Sequence, residues 1–191
     1  MSRASTLIRS ARKSRSLTQA DLSQKAQVYQ SNISAIESGR DLSVSTLEKL
    51  LAATGYGLFA LPIRTADVTE AARAIRAQLG KGNTQGAIRT LIQLNDNLIS
   101  EHGLLRGVLG LSEPESTGSP VWDAALAGLV SWRLSEENIP IPAWVDKDRF
   151  FLSRPRGLRI DPADPLPTAS DIPPEFARRG VLVWKDTFKS V

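Results

Sequence analysis

Leu17-Thr-Gln-Ala-Asp-Leu-Ser-Gln-Lys-Ala-Gln-Val-Tyr-Gln-Ser-Asn-Ile-Ser-Ala-Ile-Glu-Ser-Gly-Arg40 is the stretch from which the fold is read. Thr18 followed by Asp21 is a capping-box start: the hydroxyl accepts from the backbone N–H three residues on, and the carboxylate reaches back to the cap. Leu22 and Ala26, one helical turn apart, are the inward positions. A tight turn at Gln27-Val28-Tyr29 then leads into a second helix from about Gln30 to Ser38, which buries Ile33 and Ile36. Gly39 supplies the left-handed conformation that stops it. Two short helices at this spacing predict a helix-turn-helix.

Outward from this core, the apolar residues between Thr6 and Leu61 fall in short helical blocks, giving four short helices before a boundary at Pro62. The ordered set of Arg12, Leu17-Thr-Gln19, Ile33-Ser-Ala-Ile-Glu-Ser-Gly-Arg40 and Ser45-Thr-Leu-Glu-Lys-Leu-Leu-Ala52 resembles the DNA-binding domain of the phage-repressor (Cro/C1, or Xre-type) helix-turn-helix family. That likeness implies that the second helix of the motif enters the major groove and presents Gln30, Ser31, Ser34 and Ala35 to base edges. A glutamine amide donates to and accepts from adenine at once, which suits Gln30 to base readout. Arg9, Lys13, Gln19, Tyr29, Asn32 and Arg40 are the expected phosphate contacts. Arg12 and Glu37 stand where the family places a structural ion pair. The chain departs from the family in having Gln27 where a turn glycine is usual and Tyr29 where a Ser or Thr caps the recognition helix.

Gly55-Tyr-Gly-Leu-Phe-Ala-Leu-Pro62 ends this region. Leu58, Phe59, Ala60 and Leu61 favour an extended run, and an isolated strand leaves its backbone groups unpaired. Pairing with the same strand of a second subunit would satisfy them, as in dimeric antitoxin members of the family, and implies a homodimer on a palindromic DNA operator. Pairing within the chain is the alternative.

Charge agrees with this placement. Of 24 basic and 20 acidic side chains in 191 residues, eight basic and four acidic lie in residues 1–61, so the whole net charge of +4 belongs to the first third. No acid precedes Asp21, which suits this end to a polyanion. With no cysteine and one histidine, disulfide frameworks, Cys-ligated metal sites and Cys nucleophiles are excluded. His102 has no partner with which to hold a metal. No catalytic site, metal or cofactor is expected, since no glycine-rich phosphate loop, spaced acidic pair or nucleophile elbow is present. The absence of a long apolar run or a secretory leader predicts a cytoplasmic, non-membrane protein.

Beyond Pro62 the reading is of architecture. Helices are expected over 66–80, 84–101 and 120–137, the last strongly amphipathic with Trp122 and Trp132 inward, and together they make a helical domain over 63–138. Eight of the eleven prolines lie between Pro140 and Pro174, so 139–191 reads as a proline-rich wrapping segment without long elements. Asp146-Lys-Asp-Arg149 and Asp161-Pro-Ala-Asp164 read as solvated loops. A helical turn, a glycine and a short apolar run follow from Pro174 to Trp184.

Trp122-Asp-Ala-Ala-Leu-Ala127, Ile141-Pro-Ala-Trp-Val145 and Pro174-Glu-Phe-Ala-Arg-Arg-Gly-Val181 resemble the C-terminal extension of Xre-type regulators that act as antitoxins beside nucleotidyltransferase-like toxins of the AbiEii/MenT kind. The expected fold is therefore mainly α: a four-helix N-terminal domain with a short dimerising strand, a helical C-terminal domain and a proline-rich tail. The expected function is an autoregulating DNA-binding repressor that neutralises a co-encoded toxin. Trp144, Phe150, Phe176 and Trp184 anchor that partner if the tail wraps another protein, or pack on their own domain if it wraps itself. The alternative function is a stand-alone transcription factor with a ligand-sensing C-terminal domain.

Overall fold

The computed structural model describes residues 3–58, 65–159 and 163–189. The chain divides into two compact units, 1–62 and 63–191.

The first unit holds α1 (Arg3–Ser14), α2 (Gln19–Ala26), α3 (Gln30–Glu37) and α4 (Val44–Ala53). α2 starts on the full capping box: Thr18 Oγ1 accepts from Asp21 N at 3.1 Å, and Asp21 Oδ2 accepts from Thr18 N at 2.7 Å. It stops at Gln27, which takes the left-handed conformation at φ 49° that a glycine would adopt without strain. Gly39 at φ 113° follows α3. Ser43 caps α4 by accepting from Thr46 N. Each helix is too short to be stable alone and is held by one small core of Ile8, Leu22, Ala26, Ile33, Ile36 and Leu50. Of the proposed dimer strand, Phe59, Ala60 and Leu61 lie outside the described residues; Leu58 is exposed and belongs to no strand.

The second unit is built on α5 (Val68–Leu79), α6 (Thr84–Ser100), α7 (Gly103–Leu111), α8 (Pro120–Ser135) and the single turn α9 (Pro174–Ala177). A two-residue parallel pair joins β1 (Arg156–Gly157) to β2 (Val181–Leu182). The helices expected over 66–80, 84–101 and 120–137 correspond to α5, α6 and α8. α7, which carries Gly103, Gly107 and Gly110, has no counterpart among the helices expected from the sequence. Two of those glycines are packing sites: a Cβ at Gly110 would lie 2.7 Å from the Val130 side chain, and one at Gly107 would lie 3.2 Å from Ile139.

α8 is not the strongly amphipathic helix expected. Every residue from Trp122 to Val130 is buried. One side packs on α5, α6 and α7; the side that would face water is covered by residues 143–150, α9 and β2. Its small residues allow this, since a Cβ at Gly128 would come within 3.3 Å of the Phe176 ring. The tail thus wraps its own unit. Phe176 and Phe188 are packed with Trp132, ring centroids 5.1–6.2 Å apart, and Trp144 stacks edge-on to Phe150 at 5.0 Å while its Nε1 donates to Gly110 O at 3.0 Å. The Asp146–Arg149 stretch is likewise engaged and no free loop: Lys147 Nζ and Arg149 Nη2 bracket Glu113 at 2.7 and 3.1 Å, and Asp146 accepts from Arg178 at 2.6 Å. Among the described residues no helix is long and apolar enough to cross a membrane.

Candidate DNA-binding surface

The exposed face of α3 follows from what its other face buries. At 100° per residue, Gln30, Ser34, Ser31 and Ala35 fall within about 140° of arc, centred opposite Ile33 and Ile36. Gln30, Ser31 and Ser34 are exposed and Ala35 half-buried. Apart from Ala35, this face carries uncharged side chains able to donate and accept. Such groups reach base edges without the desolvation cost of a buried charge. Tyr29 stands at the N-cap of the helix, 82% exposed, and gives it no side-chain cap, so the departure from the family's Ser or Thr is structurally real.

Behind that face lies a buried polar knot. The Arg12 guanidinium from α1 grips the Glu37 carboxylate at the end of α3 in a two-point pair, Nε to Oε1 at 2.6 Å and Nη2 to Oε2 at 2.8 Å. The two side chains are only 12% and 3% exposed. Arg12 Nη1 also donates to Leu17 O at 2.8 Å, which ties the loop before α2 into the knot. Burial pushes the Glu37 carboxyl upward, but hydrogen bonds from Arg12 and Gln19 and the charges of Arg12 and Arg9 outweigh it, leaving the group below the usual carboxylate range. Its hydrogen bond to Glu37 likewise raises Arg12, against the lowering effect of burial. Three helices are fixed to one another by one carboxylate.

Two residues expected at phosphates are drawn into this knot. Gln19 Nε2 donates to Glu37 Oε2 at 3.0 Å, and Arg9 Nη2 donates to the Glu37 backbone carbonyl at 2.7 Å. Their side chains orient the recognition helix. The sequence signal for Gln19 was its place one residue inside α2, directly after the Thr18 cap, where a side chain turns back toward the neighbouring helices. Arg40 and Asn32 meet each other, Nη1 donating to Oδ1 at 3.3 Å, and Arg40, Lys13 and Tyr29 are exposed. Arg15 is no free arm either. It donates to Thr54 O at 3.0 Å and lies over the Tyr56 ring, while Tyr56 Oη and Ser14 Oγ hydrogen-bond at 2.8 Å.

In the second unit, Trp144, Phe150 and Phe176 are fully or almost fully buried in their own core and cannot serve as exposed partner anchors. Burying these rings against α8 gives the tail its reason to wrap its own domain. Trp184 alone of the four is exposed, at 39%. His102 stands at the start of α7, exposed, with Nδ1 2.6 Å from Glu137 Oε1. Among the described residues no group of acidic or histidine side chains is placed to hold a metal ion.

No curated protein and no solved structure matches the chain. The helix-turn-helix family model matches residues 8–61, less than a third of the chain and all within the first unit. The N-terminal unit is accordingly a helix-turn-helix domain, the DNA-binding part of a transcription regulator.

Proposed function

We propose that the chain is a sequence-specific DNA-binding regulator that reads its operator with the outer face of α3 and represses the operon that encodes it. The observation that carries this reading is the pairing of a rigid inner side with a polar, uncharged outer side on one helix. Glu37 ties α3 to α1 and α2 through Arg12 and Gln19, while Gln30, Ser31 and Ser34 are left outward. Selection from a pool of random-sequence duplexes tests it. Enrichment of a defined site is expected, and a pool that stays random after several rounds overturns the reading. A two-fold symmetric site would support the homodimer implied by the family resemblance; a single half-site would count against it.

The finer reading is an antitoxin. It rests on the likeness of residues 66–188 to the C-terminal extensions of such regulators, with the second unit holding the toxin and the first holding DNA. Trp184 is the anchor carried forward, because an exposed indole suits a protein interface. Affinity co-purification of the tagged chain from its native host, after nuclease treatment, tests this part. A stoichiometric protein encoded beside it supports the antitoxin reading. Recovery of the chain alone, at native expression, counts against it and favours a stand-alone regulator.

A further inference from the structure

Charge is segregated within the second unit. Residues 63–191 carry 16 basic and 16 acidic side chains, yet residues 71–95 contain Arg73, Arg76, Lys81 and Arg89 and not one acid. These residues form the antiparallel hairpin of α5 and α6. All four basic side chains are exposed. None of them takes part in a hydrogen bond or an ion pair with another described residue, whereas Arg106, Arg133, Lys147, Arg149, Arg178 and Arg179 all pair with carboxylates. The nearest acids in sequence, Asp67, Glu70 and Asp96, sit at the open end of the hairpin. At 1.5 Å of rise per residue, Arg76 lies about 4.5 Å from the end of α5 and Arg89 about 7.5 Å from the start of α6, on either side of the turn that holds Lys81. Three of the four cations therefore cluster at the turn end, and Arg73 continues along α5.

Leaving four cations unpaired on a unit with as many acids as bases is an arrangement for a polyanion rather than for stability, since exposed pairs are available to any helix at i, i+3 or i+4 spacing. We infer that the turn end of the α5–α6 hairpin is a second DNA contact, which neutralises phosphates of the duplex beyond the bases read by α3. Duplex DNA is the polyanion of choice because the first unit already brings it to the same chain, so contact through the hairpin is intramolecular once α3 is docked. The hairpin adds affinity and salt dependence without sequence preference. This inference rests on the reading of α3 as the groove-entering helix.

The test uses the full chain and its R73Q/R76Q/K81Q/R89Q variant, in which only exposed side chains change. Each is titrated with a short duplex holding just the selected site, with the same site extended by about 20 bp on each side, and with a long duplex of unrelated sequence. The wild type should bind the extended site more tightly than the short one, with a salt slope steeper by up to about 3.6, or 0.9 for each phosphate neutralised. Between 50 and 200 mM salt its affinity for the extended site should then fall on the order of 100-fold further than that of the variant. The two proteins should agree on the short duplex. Equal slopes for wild type and variant on the long duplexes overturn the inference while leaving α3 recognition intact. Loss of preference for the selected site over unrelated DNA tells against α3 instead, and the slopes on unrelated DNA still read the hairpin. If the variant keeps all DNA binding but loses binding to poly-glutamate, the face belongs to an acidic protein and the inference is wrong.

Discussion

Removing the Glu37 carboxylate should strongly destabilise the first unit while leaving the second unaffected. In the folded chain Glu37 is nearly inaccessible and accepts two hydrogen bonds from Arg12 and one from Gln19. Glu37→Ala would strand an arginine side chain that is only 12% exposed, along with the Gln19 amide. Breaking a buried pair by deleting one partner costs about 3–5 kcal/mol, against a total stability of about 5–15 kcal/mol for a typical domain. A four-helix unit with a core of six buried apolar side chains has little margin over that. The two units can be followed separately in the intact chain: Trp122, Trp132, Trp144 and Trp184 all lie beyond residue 62, so tryptophan fluorescence follows the second unit alone. Far-ultraviolet circular dichroism follows helices in both.

In urea, Glu37→Ala should bring the first-unit part of the circular dichroism transition to much lower denaturant and leave the fluorescence transition where it was. Arg12→Ala should cost a similar amount, and the double variant should show strong coupling between the two positions. Acid should act the same way on the wild type. Because Glu37 in the folded chain lies below its ordinary value, its contribution is present above that ordinary value, about 4.3, and fades as pH falls through it toward the folded one. Glu37→Gln should lessen this acid sensitivity. Should both single variants cost no more than about 1 kcal/mol, the pair would be behaving as an exposed one and the reasoning would be refuted.

Three smaller perturbations test local features. Tyr29→Ser supplies the missing cap of α3 at an exposed position and should stabilise the first unit by about 1 kcal/mol in urea titration; destabilisation would mean that Tyr29 packs in a way its exposure belies. Gln27→Gly relieves a left-handed residue and should be neutral or stabilising by up to about 1 kcal/mol, where a clear loss would show that the side chain is needed at the turn. Arg179 is wholly buried with its Nε unpartnered, and burial pulls its guanidinium below the ordinary arginine range. Arg179→Met should therefore be markedly less destabilising than Arg179→Ala when read by tryptophan fluorescence, and equal losses would show that the ion pair to Glu175, not the volume, is what matters.

What could be read ahead of the structure was what local chemistry determines. Thr18 with Asp21, Gly39 and the inward Leu22, Ala26, Ile33 and Ile36 each act within a turn or two of chain, so α2 and α3 are visible as text. Gln19 and Arg9 were harder, because both reach Glu37, Gln19 to its carboxylate 18 residues away and Arg9 to its backbone carbonyl 28 residues away, and only packing reveals which of several polar side chains turns inward. The second unit hid more. α7 went unread; Gly110 lets Val130 of α8 approach and Gly107 lies against Ile139, contacts that only packing reveals. The buried polar residues of α8, Asp123, Ser131 and Arg133, are each satisfied internally: Asp123 by Ser116 and Thr117, Ser131 by Glu175, Arg133 by Asn95 and Glu136. Of those partners, Glu175 and Asn95 lie 44 and 38 residues away along the chain. Trp144, Phe150 and Phe176 carried two readings, and it is the close approach of the tail to Gly128 and Gly110 that puts them inside.

Base reading by α3 is tested most directly by comparing the affinity of the wild type and Gln30→Ala for the selected duplex and for one of unrelated sequence at the same salt. If α3 reads bases through Gln30, the substitution should weaken binding to the selected duplex by about 1–3 kcal/mol and leave binding to unrelated DNA unchanged. Equal losses on both duplexes, or no loss on either, would contradict the assignment of α3 as the reading helix.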